Sequence, residues 1–315
     1  MATNIPRGAA DSYERLRAGF ALQAHTAHVP APDPESAEIV LAPIRLGGYG
    51  PFFEKLRRSP IYRRHAGKLV VYSPEEGQFP ALRGLYPSVS RKWALRGWAL
   101  PAHYISAHIH RFAFRREELL AKDLLFSFVG SSRTHPLRER IVQWRHPSAV
   151  LIDASARNDA AYWWEKPNKD QLVATYRDVM RRSRFVICPR GVSASSIRLF
   201  EAMEAGAVPV IVADNLELPL GPEWERCSLH VREAEIDDVP QLVERCAEHA
   251  TEMGLAARCA WETYFSPEAT VGSVVAWARL LVGRGRRRPA GIRCGEFTNP
   301  RLLKAKVRYL VGEGR

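Results

Sequence analysis

Short, almost wholly apolar runs alternate with helical patterns through the second half of the chain. The apolar runs are 123–130, 148–154, 184–189 and 207–214, and the helical patterns between them lie at about 136–145, 169–183 and 195–205. A strand that is apolar along its whole length is buried on both faces, and helices between such strands form the crossovers of a parallel sheet. Further helical patterns follow at about 238–260 and 267–282. This half therefore predicts an α/β domain whose parallel sheet is covered by helices on both faces.

The first half repeats the alternation in a shorter and less regular form. Strand patterns occur at 38–44, 68–73 and 103–109, and a helical pattern begins at Pro51. Because 28–36 is rich in proline and polar residues, we interpret it as a linker that ends an N-terminal arm. The sequence thus predicts four parts: an arm (1–37), a small α/β domain (38–122), a larger α/β domain (123–282) and a basic tail (283–315).

The composition is that of a globular protein whose charge is concentrated at one end. The 315 residues correspond to about two domains, and 46% of them are hydrophobic, which is ample for packed cores. The net charge is +12, and ten Arg or Lys with two Glu contribute +8 of it within 282–315. A tail of this kind binds an anionic membrane or a nucleic acid, or is simply solvated.

Cysteine usage and targeting patterns bear on location. The five cysteines contain no CxxC pair, which favours a reducing compartment over a disulfide framework or a zinc site. The first twenty residues show no apolar signal-peptide region, and no run of about 18 apolar residues occurs in the sequence. We therefore expect the protein in the cytoplasm.

The turn after the third apolar run has the features of a phosphate-binding loop. Ligands of open parallel sheets bind beyond the carboxyl ends of the strands, where this turn is placed. Gly191 permits a close backbone approach, and Ser195 and Ser196 supply hydroxyls and a helix N-cap. The N–H groups and partial positive charge of a helix N-terminus suit a diphosphate, and Arg190 and Arg198 flank the turn. The alternative is an ordinary capped helix.

Two glutamates occupy the helix predicted after this turn. Glu201 lies ten residues after Gly191, where a carboxylate is able to accept two ribose hydroxyls. The alternative is a solvated position on the helix surface, and for Glu204 we prefer that interpretation.

Residues from several elements then form one ordered pattern. The pattern comprises Ser183-Arg184-Phe185, Cys188-Pro189-Arg190-Gly191, Ser196, Arg198, Glu201-Ala202, Gly206, Pro209-Val210-Ile211, Asp214 and Leu218-Pro219-Leu220. It resembles the donor half of the exostosin-type glycosyltransferases, and Phe128-Val129-Gly130 with Arg133 and Arg138 is similar to the start of that half. The resemblance covers roughly 123–250. It implies a GT-B-like fold, in which two Rossmann-type domains with parallel sheets face a cleft, the N-terminal domain being small and acceptor-binding.

The resemblance also implies roles for individual residues. Glu201 contacts the donor ribose. The loop residues and arginines implied at the diphosphate are Arg190, Gly191, Ser195, Ser196 and Arg198 on one side and Arg133 and Arg138 on the other. Retaining GT-B enzymes often carry a second acid eight residues before this glutamate, where this chain has Ser193. The difference favours an inverting mechanism.

An inverting transfer needs a base for the acceptor hydroxyl and positive groups for the departing diphosphate. Candidate bases are Glu75 and Glu76, after the strand pattern 68–73, and Asp214 at a strand end. The alternatives are a solvated loop for the glutamate pair, and a donor-hydroxyl contact or loop cap for Asp214. Because no convincing Asp-x-Asp occurs at a strand end, we expect arginines, with no metal or cofactor, to stabilise the leaving group. The expected donor is a UDP- or GDP-sugar.

Two groups of aromatic residues carry open interpretations. Tyr162, Trp163 and Trp164 suit stacking on a sugar or nucleobase, and core packing is equally consistent. Trp93 and Trp98 lie among basic residues, as in an interfacial membrane patch or at the edge of a core helix.

The sequence thus predicts an exostosin-like inverting glycosyltransferase of hexosyl- or glycuronosyltransferase type. It would move a sugar from a nucleoside-diphosphate sugar to a hydroxyl of a glycan or lipid-linked acceptor, in polysaccharide biosynthesis. The alternatives are a noncatalytic sugar-nucleotide-binding protein and a nucleic-acid-binding protein that uses the tail. Basic positions between 284 and 308 predict a peripheral contact with the inner face of an anionic membrane. Nucleic acid is the less favoured partner, since the body contains no recognised nucleic-acid module.

Overall fold

The computed structural model describes residues 7–22, 28–44, 51–73, 79–91, 93–94, 97–105, 112, 115–155 and 169–282. Within these ranges the helices are α1 (Arg7–Leu22), α2 (Pro51–Arg58), α3 (Pro60–His65), α4 (Pro136–Gln143), α5 (Lys169–Arg182), α6 (Ile197–Glu204), α7 (Trp224–Cys227), α8 (Val239–Arg245), α9 (Ala250–Tyr264) and α10 (Pro267–Val282). The strands are β1 (Val40–Pro43), β2 (Leu69–Tyr72), β3 (Gly84–Tyr86), β4 (Ala99–Pro101), β5 (Leu124–Gly130), β6 (Ala149–Asp153), β7 (Ser183–Pro189), β8 (Val208–Val212) and β9 (Leu229–Val231).

The chain forms two compact units. Unit 1 contains the described residues up to 105 together with 217–220 and 267–282, and unit 2 contains those of 112–216 and 221–266. Each unit has a sheet in which every strand pair is parallel. The predicted α/β class with parallel sheets is confirmed.

Unit 1 contains a four-stranded sheet in the order β1-β2-β3-β4. β2 is its most apolar strand, and its four residues are buried. β3 and β4 were not predicted from the sequence, because strands of three residues show too little alternation of apolar and polar residues. The strand predicted at 103–109 does not begin at 103–105. That stretch is held instead by the buried Tyr72 hydroxyl, which donates to His103 O and accepts from Ile105 N.

The first helix and the last described helix both belong to unit 1. α1 packs against α10, and a Cβ on Gly19 would lie 2.8 Å from the Val271 side chain. In the same helix, Leu16 is buried and the Ser12 hydroxyl donates to Ile105 O at 3.0 Å. Residues 7–22, predicted as part of an arm, therefore form a packed helix.

α10 lies outside the unit to which the sequence analysis assigned it. Residues 267–282 were expected at the end of the domain 123–282, but the helix packs on β2, β3 and β4. Its buried apolar residues include Val274, Ala278 and Leu281. Buried Arg83 donates to Leu281 O at 3.3 Å and to Gly67 O at 2.7 Å, and thereby ties the end of α10 to unit 1.

The two tryptophans considered for a membrane patch contribute to the core of unit 1. Trp98 is buried and its Nε1 donates to Pro80 O at 2.7 Å. Trp93 packs edge-on against Phe79, with ring centroids 4.7 Å apart. The core-edge interpretation is the one that the structure matches. Among the helices of the described ranges, none combines the length and apolarity needed to cross a bilayer.

Unit 2 contains a five-stranded sheet in the order β6-β5-β7-β8-β9. The four predicted strands appear as β5, β6, β7 and β8, and β9 adds a short fifth strand at the edge. The central strands are filled by fully buried apolar side chains, among them Phe126, Phe128, Phe185 and Val210. Their burial under helices on both faces explains why these strands read as continuous apolar runs.

Candidate functional site

The strand order in unit 2 changes direction at β5, and the predicted donor-binding residues gather there. β6 follows β5 in the chain and lies on one side of it, whereas β7 lies on the other side. At such a switch point the loops after the central strands diverge, and ligands bind beyond the carboxyl ends. The loops concerned are 131–135 after β5 and 190–196 after β7.

Arg198 joins the start of α6 to the end of β5. Its side chain is only 7% exposed, and its Nη2 donates to Val129 O at 2.6 Å. The guanidinium carbon lies 4.7 Å from the centre of the Phe128 ring, in cation–π contact. A Cβ on Gly130 would lie 2.3 Å from Arg198 Nη2, so this approach requires the glycine. Arg198 is therefore a fixed, buried charge at the switch point.

Arg138, on α4, holds the end of β7 in the same way. Its Nε donates to Arg190 O at 2.9 Å and its Nη2 to Pro189 O at 3.1 Å. A Cβ on Gly191 would lie 3.1 Å from Nη2. The glycine therefore allows the loop to lie close to the guanidinium. Arg138 and Arg198 thus bind main-chain carbonyl oxygens, and their contact with a diphosphate stays a prediction.

Arg190 and Asp214 meet at Glu233. Arg190 Nη1 lies 3.3 Å from Glu233 Oε1, in a partly exposed ion pair. Glu233 N donates to Asp214 Oδ1 at 2.8 Å, and Asp214 N donates to Glu233 Oε1 at 3.1 Å. This reciprocal pair closes the loop after β8. Asp214 thus has the loop-cap geometry, which was one of its two alternatives to acting as the base.

The serines of the loop are enclosed by the protein. Ser193, Ser195 and Ser196 are all buried. Ser196 precedes α6 in extended conformation, but its side chain makes no capping hydrogen bond, and its Oγ lies 3.4 Å from Arg198 Nη1. The predicted N-cap position is therefore right and the predicted capping hydrogen bond is absent.

Glu201 is buried, at 2% exposure, and its Oε2 accepts a hydrogen bond from the Tyr176 hydroxyl of α5. Burial, with the Glu201 carboxylate beside it, raises the pKa of the Tyr176 phenol well above its usual range. Tyr176 is therefore a neutral donor that orients Glu201. Tyr176 is not identifiable from the sequence, since a tyrosine among the apolar positions of a helix gives no distinct signal.

Glu204 is buried as well, and the solvated interpretation is wrong for it. It is 3% exposed, and its Oε1 accepts from Phe112 N at 3.2 Å. The partner lies 92 residues away in the sequence, so no local pattern reveals it.

Comparison with known proteins bears on the same region. Residues 116–246, which contain all of these arginines and glutamates, match the family model described as the exostosin GT47 domain. That stretch is similar to the exostosin GT47 domain. The matched stretch includes both the predicted motif residues and the switch point.

Individual known proteins are similar to this chain over part of their length. The probable glucuronosyltransferase GUT1 of Oryza sativa subsp. japonica is 44% identical over 132 residues, which cover 34% of this chain and 31% of that protein. Exostosin-2 of Homo sapiens is 28% identical over 187 residues, or 58% of this chain and 26% of that protein. The chain spans between 19% and 33% of the length of the curated relatives it matches.

Among solved structures, the crystal structure of TarM aligns with a TM-score of 0.41 at 13% identity. The alignment covers 74% of this chain and 53% of that one. This similarity is too low to assign a fold.

The matched stretch has a further carboxylate at the switch point, Asp153 at the end of β6. It accepts hydrogen bonds from Ser132 N at 3.1 Å, Ser132 Oγ at 2.7 Å and Ser155 N at 2.9 Å, and also from Ser155 Oγ. Partial burial alone would raise the pKa of Asp153, but the hydrogen bonds from Ser155 and Ser132 outweigh it and lower the pKa to about 2. An acid at the end of an apolar strand was visible in the sequence, and its serine partners were not.

The lowered pKa makes a pH-dependent contribution to stability. An unfolded aspartate titrates near pH 3.9, so the stabilisation is complete above that pH and is lost as the pH falls toward about 2. We expect wild type to exceed Asp153→Asn by about 1–3 kcal/mol in unfolding free energy at pH 6, since one pKa unit corresponds to about 1.4 kcal/mol. Urea unfolding at pH 6, 4 and 3 measures this difference. A difference that stays constant with pH would contradict the assignment.

Several predicted residues lie outside the described residues. They are Glu75 and Glu76, the aromatic group Tyr162, Trp163 and Trp164, and the tail 283–315. Arg133 is described and exposed, on the turn Ser132–Thr134. In the ranges that the structure describes, no group of three His, Cys, Asp or Glu side chains is arranged to hold a metal ion.

Proposed function

We propose that this protein is an inverting glycosyltransferase that takes a UDP- or GDP-sugar as donor and a glycan or lipid-linked hydroxyl as acceptor. The observation that carries the proposal is the coincidence of two findings. The first is that residues 116–246 match the exostosin GT47 family model. The second is that four arginines of this stretch lie at the loops that follow β5 and β7 in the structure. The names of the rice relatives, probable glucuronosyltransferases, support a hexosyl or glycuronosyl group as the sugar transferred.

The arginines divide into two groups by their surroundings. Buried Arg138 and Arg198 bind main-chain carbonyls and hold the loops in place. Exposed Arg133 and partly exposed Arg190 are the cations that a diphosphate is able to reach. Their charge would stabilise the departing nucleoside diphosphate in the transition state, the role that oriented positive groups have in such reactions.

The proposed reaction is a single displacement. The acceptor oxygen forms a bond to the anomeric carbon while the bond from that carbon to the diphosphate oxygen breaks. The acceptor proton passes to a carboxylate, for which Glu75 and Glu76 are the candidates, since Asp214 caps a loop. Glu201, oriented by Tyr176, would bind the donor ribose.

Thermal shift with UDP-, GDP- and CMP-linked sugars tests donor binding. A ligand at about 100 times its Kd adds about 2.7 kcal/mol to stability, so one class should raise Tm by several degrees. Arg133→Ala should abolish most of that shift, whereas Arg226→Ala, an exposed arginine of α7, should leave it intact. No shift with any sugar nucleotide would refute the proposal. Binding without transfer to any glycan or lipid-linked acceptor would favour a noncatalytic sugar-nucleotide-binding protein.

We further propose that the basic positions between 284 and 308 bring the enzyme to an anionic membrane, at its cytoplasmic face. The support is the charge of the sequence there, since polybasic segments gain about 1 kcal/mol per cation near an anionic surface. Cosedimentation with phosphatidylserine vesicles at low salt should therefore be strong and should disappear when 283–315 is deleted. Equal binding of both proteins would refute it.

A further inference from the structure

We propose that Asp153 is a positioning residue of the donor site, whose carboxylate fixes the loop after β5 and ties it to Ser155, two residues beyond β6. The inference rests on the proposed function and assigns to that site a residue that its motif does not contain. Arg133, the exposed cation proposed to meet the diphosphate, lies on the loop after β5. Asp153 would thus act on the donor through Arg133.

The contacts of Asp153 join Ser132, in the loop after β5, to Ser155. Its Oδ1 accepts from Ser132 N and Ser155 N, and its Oδ2 accepts from Ser132 Oγ. The Ser155 hydroxyl donates to Oδ1 as well, and the two serine hydroxyls lie 3.1 Å apart. Ser132 directly precedes Arg133, so the carboxylate fixes the main chain beside that cation through both the backbone and the side chain of one residue.

The position of Asp153 in the sheet explains its reach. Asp153 pairs with Gly130, the last residue of β5, and Ala154 N donates to Gly130 O at 2.9 Å. Arg198 approaches Gly130 closely as well, from α6. The end of β5 is therefore held by a carboxylate on the neighbouring strand and by a buried cation on a helix.

The chemistry requires an ionised carboxylate here. Each of the four groups that face Asp153 is an N–H or O–H donor, and a carboxylate offers only acceptors. An amide of the same shape keeps only one oxygen, so its NH₂ would face either the three donors on Oδ1 or the Ser132 hydroxyl on Oδ2. Asp153→Asn therefore removes the negative charge and at least the bond from the Ser132 hydroxyl, while keeping the volume of the side chain.

The amino end of β5 offers a matched control. Asp123 directly precedes β5 at its amino end, where its carboxylate pairs with Arg182. Asp123→Asn also replaces a hydrogen-bonded aspartate by its amide, but at the end of the sheet opposite to the loops.

The experiment measures loop order and donor affinity in the full-length protein. Hydrogen exchange of the 131–135 amides should rise at least tenfold in Asp153→Asn and stay unchanged in Asp123→Asn. The Kd of UDP or GDP, whichever binds wild type, should rise about tenfold in Asp153→Asn alone. With the selected donor sugar, KM should rise more than kcat falls. Ser132→Ala should add little to Asp153→Asn, since both changes remove one interaction.

The outcomes separate this inference from the proposed function. If wild type binds neither nucleotide, the proposed function fails, and the role of Asp153 at a donor site fails with it. If wild type binds one and Asp153→Asn binds it equally well, only the positioning role is overturned. A lowered Tm with unchanged affinity of the folded protein would likewise reduce Asp153 to a purely structural residue.

Discussion

Replacement of Glu201 by Gln is expected to weaken binding of the donor nucleotide at least tenfold without unfolding the protein. A carboxylate accepts hydrogen bonds from two ribose hydroxyls, and bonds to charged groups contribute about 1.5–3 kcal/mol, where 1.4 kcal/mol is a factor of ten. Gln keeps an oxygen that is able to accept from the Tyr176 hydroxyl, so the buried hydrogen bond survives. Titration calorimetry with the selected nucleotide gives the affinity, and the melting temperature reports on folding.

Glu204→Gln is the matched control for this prediction. Glu204 lies one turn later on α6, is buried to the same degree, and is hydrogen-bonded to Phe112 N. Its replacement should alter stability at most and leave the nucleotide affinity unchanged. Equal affinities in the two variants would remove Glu201 from the ribose site. Tyr176→Phe should give an intermediate loss, because Glu201 keeps its carboxyl group but is no longer oriented by the phenol.

The second large effect is expected where α9 crosses the end of α6. Gly206 ends α6 with a φ of 63°, and a Cβ on Gly254 of α9 would lie 2.6 Å from Gly206 O. That neighbour is backbone, so a methyl group forces the helices apart. Gly254→Ala should therefore lower the unfolding free energy by about 1–3 kcal/mol, the usual range for overpacking.

Gly272→Ala provides the comparison, because both glycines lie within helices. A Cβ on Gly272 of α10 would meet nothing within 4 Å. The alanine should then stabilise the protein by up to about 1 kcal/mol, the difference in helix propensity. Urea unfolding of both variants measures the two effects. Destabilisation of equal size in both would show that the contact with Gly206 is unimportant.

Patterns of apolar residues predicted the strands and helices of this chain, but not the sheet on which each helix packs. β5, β7 and β8 were found because strands buried on both faces are apolar throughout. β6 was found by its apolar residues too, although it is a partly exposed edge strand. α10 was found as a helix but placed in the wrong unit. Its buried apolar residues require a sheet to pack on, but the pattern does not say which of the two sheets that is.

The candidate site was predicted at the level of its loops and motif. The roles of its side chains depend on partners that are distant in the sequence, such as Ser132 for Asp153 and Tyr176 for Glu201. Arg138 and Arg198 are predicted to bind a diphosphate, and their guanidinium groups also bind main-chain carbonyls, which the motif did not indicate. A motif identifies which cations gather at a site, but it does not distinguish those that bind the ligand from those that shape the loops.

α10 belongs to unit 1 although it follows unit 2 in the sequence, which affects the order of folding during synthesis on the ribosome. Chains generally fold from the N-terminus as they emerge, domain by domain. Here the sheet of unit 1 is made first but lacks the helix that covers it until residues 267–282 appear, after all of unit 2. We therefore expect the later-made unit to acquire protease resistance on stalled ribosomes before the earlier-made one, and a nascent chain that ends at 266 to be cleaved within residues 38–105.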